Sequence, residues 1–240
     1  AAVAALGDTP GVADDAGRAL LLGCRYACTF PEEARAAIRL AVALSGPVRL
    51  IDGCCGAWQR SAGAPAAADA ARERVASLVA GQRLLVSDPR CALELREQGA
   101  TSLVELAASH PERFGTLPAS NGERLRYHDS CALGRGLGLY DEPRQLLARV
   151  AGAAPLELET ERQHARCSGG GGILPVSMPA VAKAAGQRLA DEHARLGGGI
   201  LVTGCASSLS QLRRAGANAV DLVTLLASAL SPTANSPEDA

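Results

Sequence analysis

The sequence predicts an α/β protein of two tandem, similar halves, each with a small parallel sheet and with cysteines at the carboxyl ends of its strands. Three observations lead there. Short aliphatic runs alternate with stretches of helical periodicity, the order that builds parallel strands joined by crossover helices. Cysteines follow those runs instead of filling them. The whole order of elements also occurs twice.

In the first half, RALLLG (18–23) reads as a buried strand ending at Cys24. Pro31 to Leu44 carries apolar residues at helical spacing, and Pro31 followed by Glu32 and Glu33 is a helix start. PVRLID (47–52) is a strand running into Cys54, and a helix follows from about Pro65 to Ala80. Strand RLLVS (83–87) precedes Cys91, and a helix and the short segment SLVEL (102–106) close the half.

From Glu123 the order returns. ERLRYHD (123–129) leads into Cys131, helix DEPRQLLARVAG (141–152) and strand PLELE (155–159) follow, and Cys167 opens a glycine run. A helix from about Pro179 to Leu196, strand GILVTG (199–204) into Cys205, a helix and VDLV (220–223) complete it. CALELREQGA (91–100) aligns without a gap on SLSQLRRAGA (208–217), which sets Cys91 opposite Ser208 and Asp88 opposite Cys205. Upstream, Cys24 corresponds to Cys131, Cys54 to Cys167 and Cys55 to Ser168. The expected division is a first repeat over 1–115, a second, degenerate repeat over 116–232 and a polar, disordered tail over 233–240. Sulfur at the ends of successive parallel strands stands where open parallel sheets hold their ligands.

Composition narrows the function. The chain has 240 residues, 48% of them apolar, and a net charge of -1, as in a folded domain with an aliphatic core. Its 24 basic residues, all arginine except Lys183, are scattered among 25 acids, so there is no basic face for nucleic acid; aromatic content of 2% supplies no base-stacking surface either. No basic start precedes an apolar stretch, and no run of about 18 uncharged apolar residues occurs, so a cytoplasmic chain without a transmembrane segment is expected.

The eight cysteines are Cys24, Cys28, Cys54, Cys55, Cys91, Cys131, Cys167 and Cys205. Without a secretory signal, metal or redox chemistry is a better account of them than a disulfide framework; an isolated one such as Cys28 reads equally as a small buried apolar residue. Neighbouring Cys54 and Cys55 are too strained for a mutual disulfide, whereas a glycine-flanked turn can aim both at one polynuclear centre. No CxxC motif occurs, which removes the usual support for zinc ribbons and simple ferredoxin modules.

These residues resemble the cysteine-rich, or CCG, domain family, whose pattern is a cysteine, about thirty to forty residues, CCG, a similar interval, then CxxC. Gly23 with Cys24, Cys54 to Gly56, and Pro89 to Cys91 carry the first copy; YHDSCALGRGLGLYDEP (127–143), CSGGGG (167–172) and TGCASS (203–208) carry the second. The family includes the cysteine-rich component of heterodisulfide reductase and the iron-sulfur subunits that accompany glycolate, lactate and glycerol-3-phosphate oxidising flavoproteins. The resemblance implies an iron-sulfur cluster of 4Fe-4S type, with zinc as the alternative, and electron transfer to or from a flavoprotein dehydrogenase or oxidase subunit or a ferredoxin-type protein. It names Cys24, Cys54, Cys55, Cys91, Cys131, Cys167 and Cys205 as metal ligands, with Gly56, His128, Gly169 and Gly170 beside the cofactor. Asp88, Ser168 and Ser208 stand where the full pattern has cysteine, so one cluster is expected in the first repeat, and the second is either defective or shares a centre. The rival readings are a catalytic thiol-disulfide reductase subunit and a zinc-binding scaffold.

Other signals carry less. His128, Asp129 and Ser130 are adjacent on a strand end and point to different sides, a poor triad; His128 is expected to hydrogen-bond a neighbouring sulfur. Gly134, Gly136 and Gly138 lack the dinucleotide-binding spacing. The run Gly169 to Gly172 is expected to bring backbone amides close to a cluster. His164 and His193 read as solvated, and His110 before Pro111 as a helix end.

Overall fold

The computed structural model describes residues 2–117 and 124–231, so the tail expected over 233–240 lies outside the described residues. The first half runs β1 (Arg18–Leu21), α1 (Cys24–Thr29), α2 (Pro31–Ser45), β2 (Arg49–Leu50), α3 (Ala57–Ser61), α4 (Pro65–Val79), β3 (Arg83–Val86), α5 (Pro89–Glu94), β4 (Thr101–Ser102) and α6 (Leu103–Ala108). The second runs β5 (Leu125–His128), a π-helical turn (Ala132–Gly136), α7 (Asp141–Ala151), β6 (Leu156–Glu157), α8 (Leu174–Ser177), α9 (Pro179–Arg195), β7 (Ile200–Thr203), α10 (Ala206–Arg214), β8 (Ala219–Asp221) and α11 (Leu222–Ser228).

Each half builds its own four-stranded sheet, ordered β2-β1-β3-β4 and β6-β5-β7-β8, with every pairing parallel. The registers match: Ala19 faces Arg49 and Leu84 in one sheet, and Arg126 faces Leu156 and Leu201 in the other. Successive connections leave the first strand of each half on opposite sides. The carboxyl ends of β1 and β3, and of β5 and β7, therefore form the crevice where such sheets bind ligands.

The expected elements appear with three corrections. The strands expected over 47–52 and 155–159 shrink to two residues each, Arg49 and Leu50 paired with Ala19 and Leu20, and Leu156 and Glu157 paired with Arg126 and Tyr127. SLVEL is mostly helix: the Ser102 hydroxyl accepts from the Val104 amide while the Glu105 carboxylate accepts from the Ser102 amide, a capping box that starts α6. His193 is buried on the inner face of α9 instead of solvated, with Nε2 3.2 Å from the Gly199 carbonyl oxygen, and burial lowers its pKa.

Most of the interior is one aliphatic core contributed by both halves, including Leu20, Leu40 and Leu85 with Leu146, Val202 and Leu226. Helix α2 lies along α11, and α6 along α7. Across this junction the Tyr26 hydroxyl donates to Asp221 Oδ1 at 2.5 Å, and Arg213 pairs with Glu33 at 2.6 Å. Among the described residues no helix is long and apolar enough to cross a membrane.

Candidate functional site

The cysteines occupy the turns that leave the strands. Gly23, at φ +89°, turns the chain out of β1 into α1, whose first residue is Cys24; a side chain there would collide with Asp88 and crowd the Cys91 sulfur. Cys54 and Cys55 sit in the loop after β2, and Cys91 lies in the first turn of α5. In the second half Cys131 caps the π-helical turn, Cys167 sits in the loop after β6, and Cys205 is the N-cap of α10.

Both CCG-type loops are built alike. Gly56 (φ +81°) and Gly169 (φ +77°) follow Cys54 and Cys167 by two residues, and their amides donate to those sulfurs at 3.5 and 3.3 Å. A Cβ on Gly56 would sit 2.6 Å from the Ala68 carbonyl oxygen, and one on Gly169 2.7 Å from that of Ala182. Each loop is thus pressed onto the first turn of the next long helix, which only glycine allows. Leu50 is four residues before Cys54, whereas Glu157 is ten before Cys167; the extra stretch is tied down by Arg135, whose Nη1 donates to the carbonyls of Gln163 and Ala165.

All seven cysteines expected as ligands line one cavity of about 170 Å³, together with Arg25, Trp58, Asp88, Gly171 and Gly172. Cys28 is outside it and exposed. Cys54 Sγ lies 3.8 Å from Gln59 Oε1, and the neighbouring Cys55 thiol together with burial pushes the Cys54 thiol up. For Cys55 the neighbouring Cys54 lowers the pKa, but Cys91 and burial together raise it more. Burial, then nearby Cys54 and Asp88, raises Cys24. Across the cavity the neighbouring Cys131 thiol, with the Gly169 amide, lowers Cys167 to about 6. Burial and then Asp88 push Cys205 up to about 12. The sulfurs therefore fall into a group of four and a group of three, with Asp88 of the first half beside Cys205 of the second.

The residues standing in for cysteine have other work. Ser168 donates to Ser208 at 3.0 Å; both are buried and neither lines the cavity. This hydroxyl pair takes the place of the neighbouring Cys55 and Cys91 thiols. Asp88 caps α5, accepting from the Arg90 amide at 2.9 Å, just as Cys205 occupies the N-cap of α10.

His128 does not reach sulfur. Its Nε2 donates to the Arg166 carbonyl at 3.2 Å and its Nδ1 lies 3.1 Å from the Thr203 hydroxyl, so it ties β5 to β7 and to the Cys167 loop; burial lowers its pKa. Asp129 is held by Arg144 at 2.7 Å and accepts from the Arg162 amide, and Arg144 also grips Glu157 and lies over the Tyr127 ring. Gly170 packs against α10 rather than the cavity, where a Cβ would overlap the Ser207 carbonyl. The glycines that line the cavity are Gly171 and Gly172. Both belong to the run Gly169 to Gly172 that the sequence singled out, whereas Trp58 and Arg25 were not read from it; the position of Trp58 three residues after Cys55 was the available signal.

Seven thiols with backbone amides aimed at two of them are the donor set of a thiolate-ligated metal group. Among the described residues no three His, Cys, Asp or Glu side chains stand close enough to hold a single ion. A ring of sulfurs around a cavity fits a group with several metal atoms, so the residues present fit an iron-sulfur cluster.

Comparison with known proteins agrees with this geometry. The family described as a cysteine-rich domain matches residues 19–96 and 125–213. Over 81 residues the chain is 32% identical to a component of the dihydromethanophenazine:CoB--CoM heterodisulfide reductase of Methanosarcina barkeri, covering 34% of this chain and 20% of that protein. It is 34% identical over 82 residues to a component of the fumarate reductase (CoM/CoB) of Methanothermobacter marburgensis, covering 34% and 16%. It is 45% identical over 51 residues to EtfAB:quinone oxidoreductase of Syntrophomonas wolfei, covering 21% and 7%. Each match spans a fifth or less of the relative's own length.

Proposed function

Because the chain belongs to the cysteine-rich domain family, we propose that it is an iron-sulfur electron-transfer component of an oxidoreductase, with a 4Fe-4S centre in the seven-cysteine cavity. The observation that carries this is the convergence of thiols from six separate turns of two repeats on one cavity. Such a cluster, when bound, takes up and releases one electron.

Cys24, Cys54, Cys55 and Cys91 are the ligand set of the principal centre. Their thiols lose protons when they take metal, and the raised pKa values of Cys24, Cys54 and Cys55 make that release cost more at low pH. Gly56 and Gly169 point amide hydrogens at Cys54 and Cys167, which favours the reduced state by stabilising added negative charge. Cys131, Cys167 and Cys205 offer three thiolates lining the same cavity, with Ser168 and Ser208 bonded to each other outside its lining. The partner is a flavoprotein dehydrogenase or oxidase subunit or a ferredoxin-type protein, in keeping with relatives named as components of reductases and a quinone oxidoreductase.

The test is anaerobic purification followed by iron and acid-labile sulfide analysis and electron paramagnetic resonance of the reduced protein. Iron with matching sulfide is expected, and stoichiometric zinc without sulfide would transfer the reading to a scaffold. With C55S and C205S run alongside, C55S should lose iron or hold it labilely and C205S should lose less. Equal loss would mean that both halves hold one shared centre.

A further inference from the structure

The rim of the cavity differs from the rest of the surface in two respects. Of the five large apolar side chains exposed among the described residues, Trp58 lies on α3, and Val176, Met178 and Val181 lie four to nine residues after Gly172, from α8 to the start of α9. Trp58 lines the cavity, and α8 begins two residues after Gly172, which lines it too. The two segments meet there, since a Cβ on Gly172 would lie 3.9 Å from the Ser61 hydroxyl at the end of α3.

The second difference is charge. The chain carries 25 acidic residues, yet residues 53–68, 162–190 and 193–220 contain no Asp or Glu. Those three segments supply Cys54, Cys55, Trp58, Cys167, Gly172 and Cys205 to the cavity. Arg162, Arg166, Arg195 and Arg213 within them are paired to acids from elsewhere. Lys183, Arg188 and Arg214 are exposed and have no carboxylate partner among the described residues. Lys183 and Arg214 line one cleft of about 220 Å³, together with Pro175 and Pro179 beside Val176 and Met178.

An apolar ridge flanked by unpaired cations, next to the opening of a redox cavity, is what a short-lived electron-transfer encounter requires. Such interfaces are small, and opposite charge speeds their formation more than it tightens them. We infer that this rim is the docking surface for an acidic one-electron carrier protein, which would bring its own redox group against Trp58 and the Gly171–Gly172 turn. The inference rests on the electron-transfer reading. Its charge argument selects an acidic carrier over a second copy of this chain, because a second copy would set Lys183, Arg188 and Arg214 against the same cations.

The test uses an acidic [2Fe-2S] ferredoxin as probe and basic cytochrome c as control, with binding measured by biolayer interferometry. Binding needs no cluster in the chain, and iron analysis of each sample reports separately on the electron-transfer reading. Ferredoxin binding should weaken several-fold as salt rises from about 20 to about 300 mM. K183E/R214E should weaken it about tenfold at low salt and converge on wild type at high salt. V176S/M178S/V181S should weaken it at every salt concentration with iron content unchanged. Equal ferredoxin affinity in all three proteins, or cytochrome c bound as tightly as ferredoxin, would overturn the inference. So would self-association abolished by the triple serine variant in a chain that does not bind ferredoxin.

Discussion

Ser168 donates to Ser208 and accepts from the Gly170 amide, and Ser208 in turn touches Cys205, so the buried pair links the glycine loop to a cavity thiol. Ser168→Ala is expected to cost about 1–3 kcal/mol, the penalty of leaving the buried Gly170 amide without its acceptor, and S168A/S208A should not recover that loss, because the amide stays unpaired. Urea unfolding of the three proteins measures it, and a double variant as stable as wild type would show that the Gly170 amide does not depend on Ser168. The same residues show how far the sequence could be read. Their correspondence with Cys55 and Cys91 follows from the alignment of the halves, but the mutual bond that withdraws them from ligation is a matter of side-chain direction. His128 teaches the same point: its place three residues before Cys131 was legible, and its ring bonds to Thr203 and Arg166, residues remote in sequence.

At the scale of elements, the two CCG-type loops depend on glycines that serve two needs at once. Gly56→Ala should lose about 1–2 kcal/mol for its left-handed backbone and a further amount, about 1–3 kcal/mol, for the overlap with the Ala68 carbonyl. Gly63 provides the control, because it has φ +78° but open space around it, so Gly63→Ala should show the first cost alone. Chemical denaturation separates the two, and equal losses at both positions would mean that the loop is not held tightly against α4. Helices were the most legible elements, since Pro31, Pro65 and Pro179 mark their starts and apolar spacing gives their lengths. The edge strands β2 and β6 were overextended, because their length is set by how long the neighbouring strand stays alongside.

For the whole molecule, the junction between halves contains a buried carboxylate. Burial raises Asp221 to about 6, against the lowering effect of the Tyr26 hydroxyl and the Thr224 amide. An acid with a raised folded pKa stabilises most when protonated, so its contribution is fully present below about pH 4 and is lost as pH climbs through about 6. The loss is on the order of 3 kcal/mol. Asp221→Asn removes the charge but keeps only one acceptor oxygen for the two that Tyr26 and Thr224 use, so it should start below wild type at pH 4 and its melting temperature relative to wild type should rise progressively between pH 4 and 7. A constant difference across that range would show that Asp221 is charged throughout.

By itself, the sequence determined the α/β class, the duplication, the order of elements and the cysteines that follow the strands, because all of these depend on local periodicity and on comparing one half with the other. It also carried the correspondence of Asp88 with Cys205. The tertiary structure alone decided that both sets of cysteines line one cavity, that Ser168, Ser208 and His128 stay outside its lining, and that Trp58 and the Gly171–Gly172 turn line it too. Those outcomes depend on how two sheets are set against each other around a common core. Contacts such as Tyr26 with Asp221, 195 positions apart, hold that arrangement, and no pattern within either half encodes it.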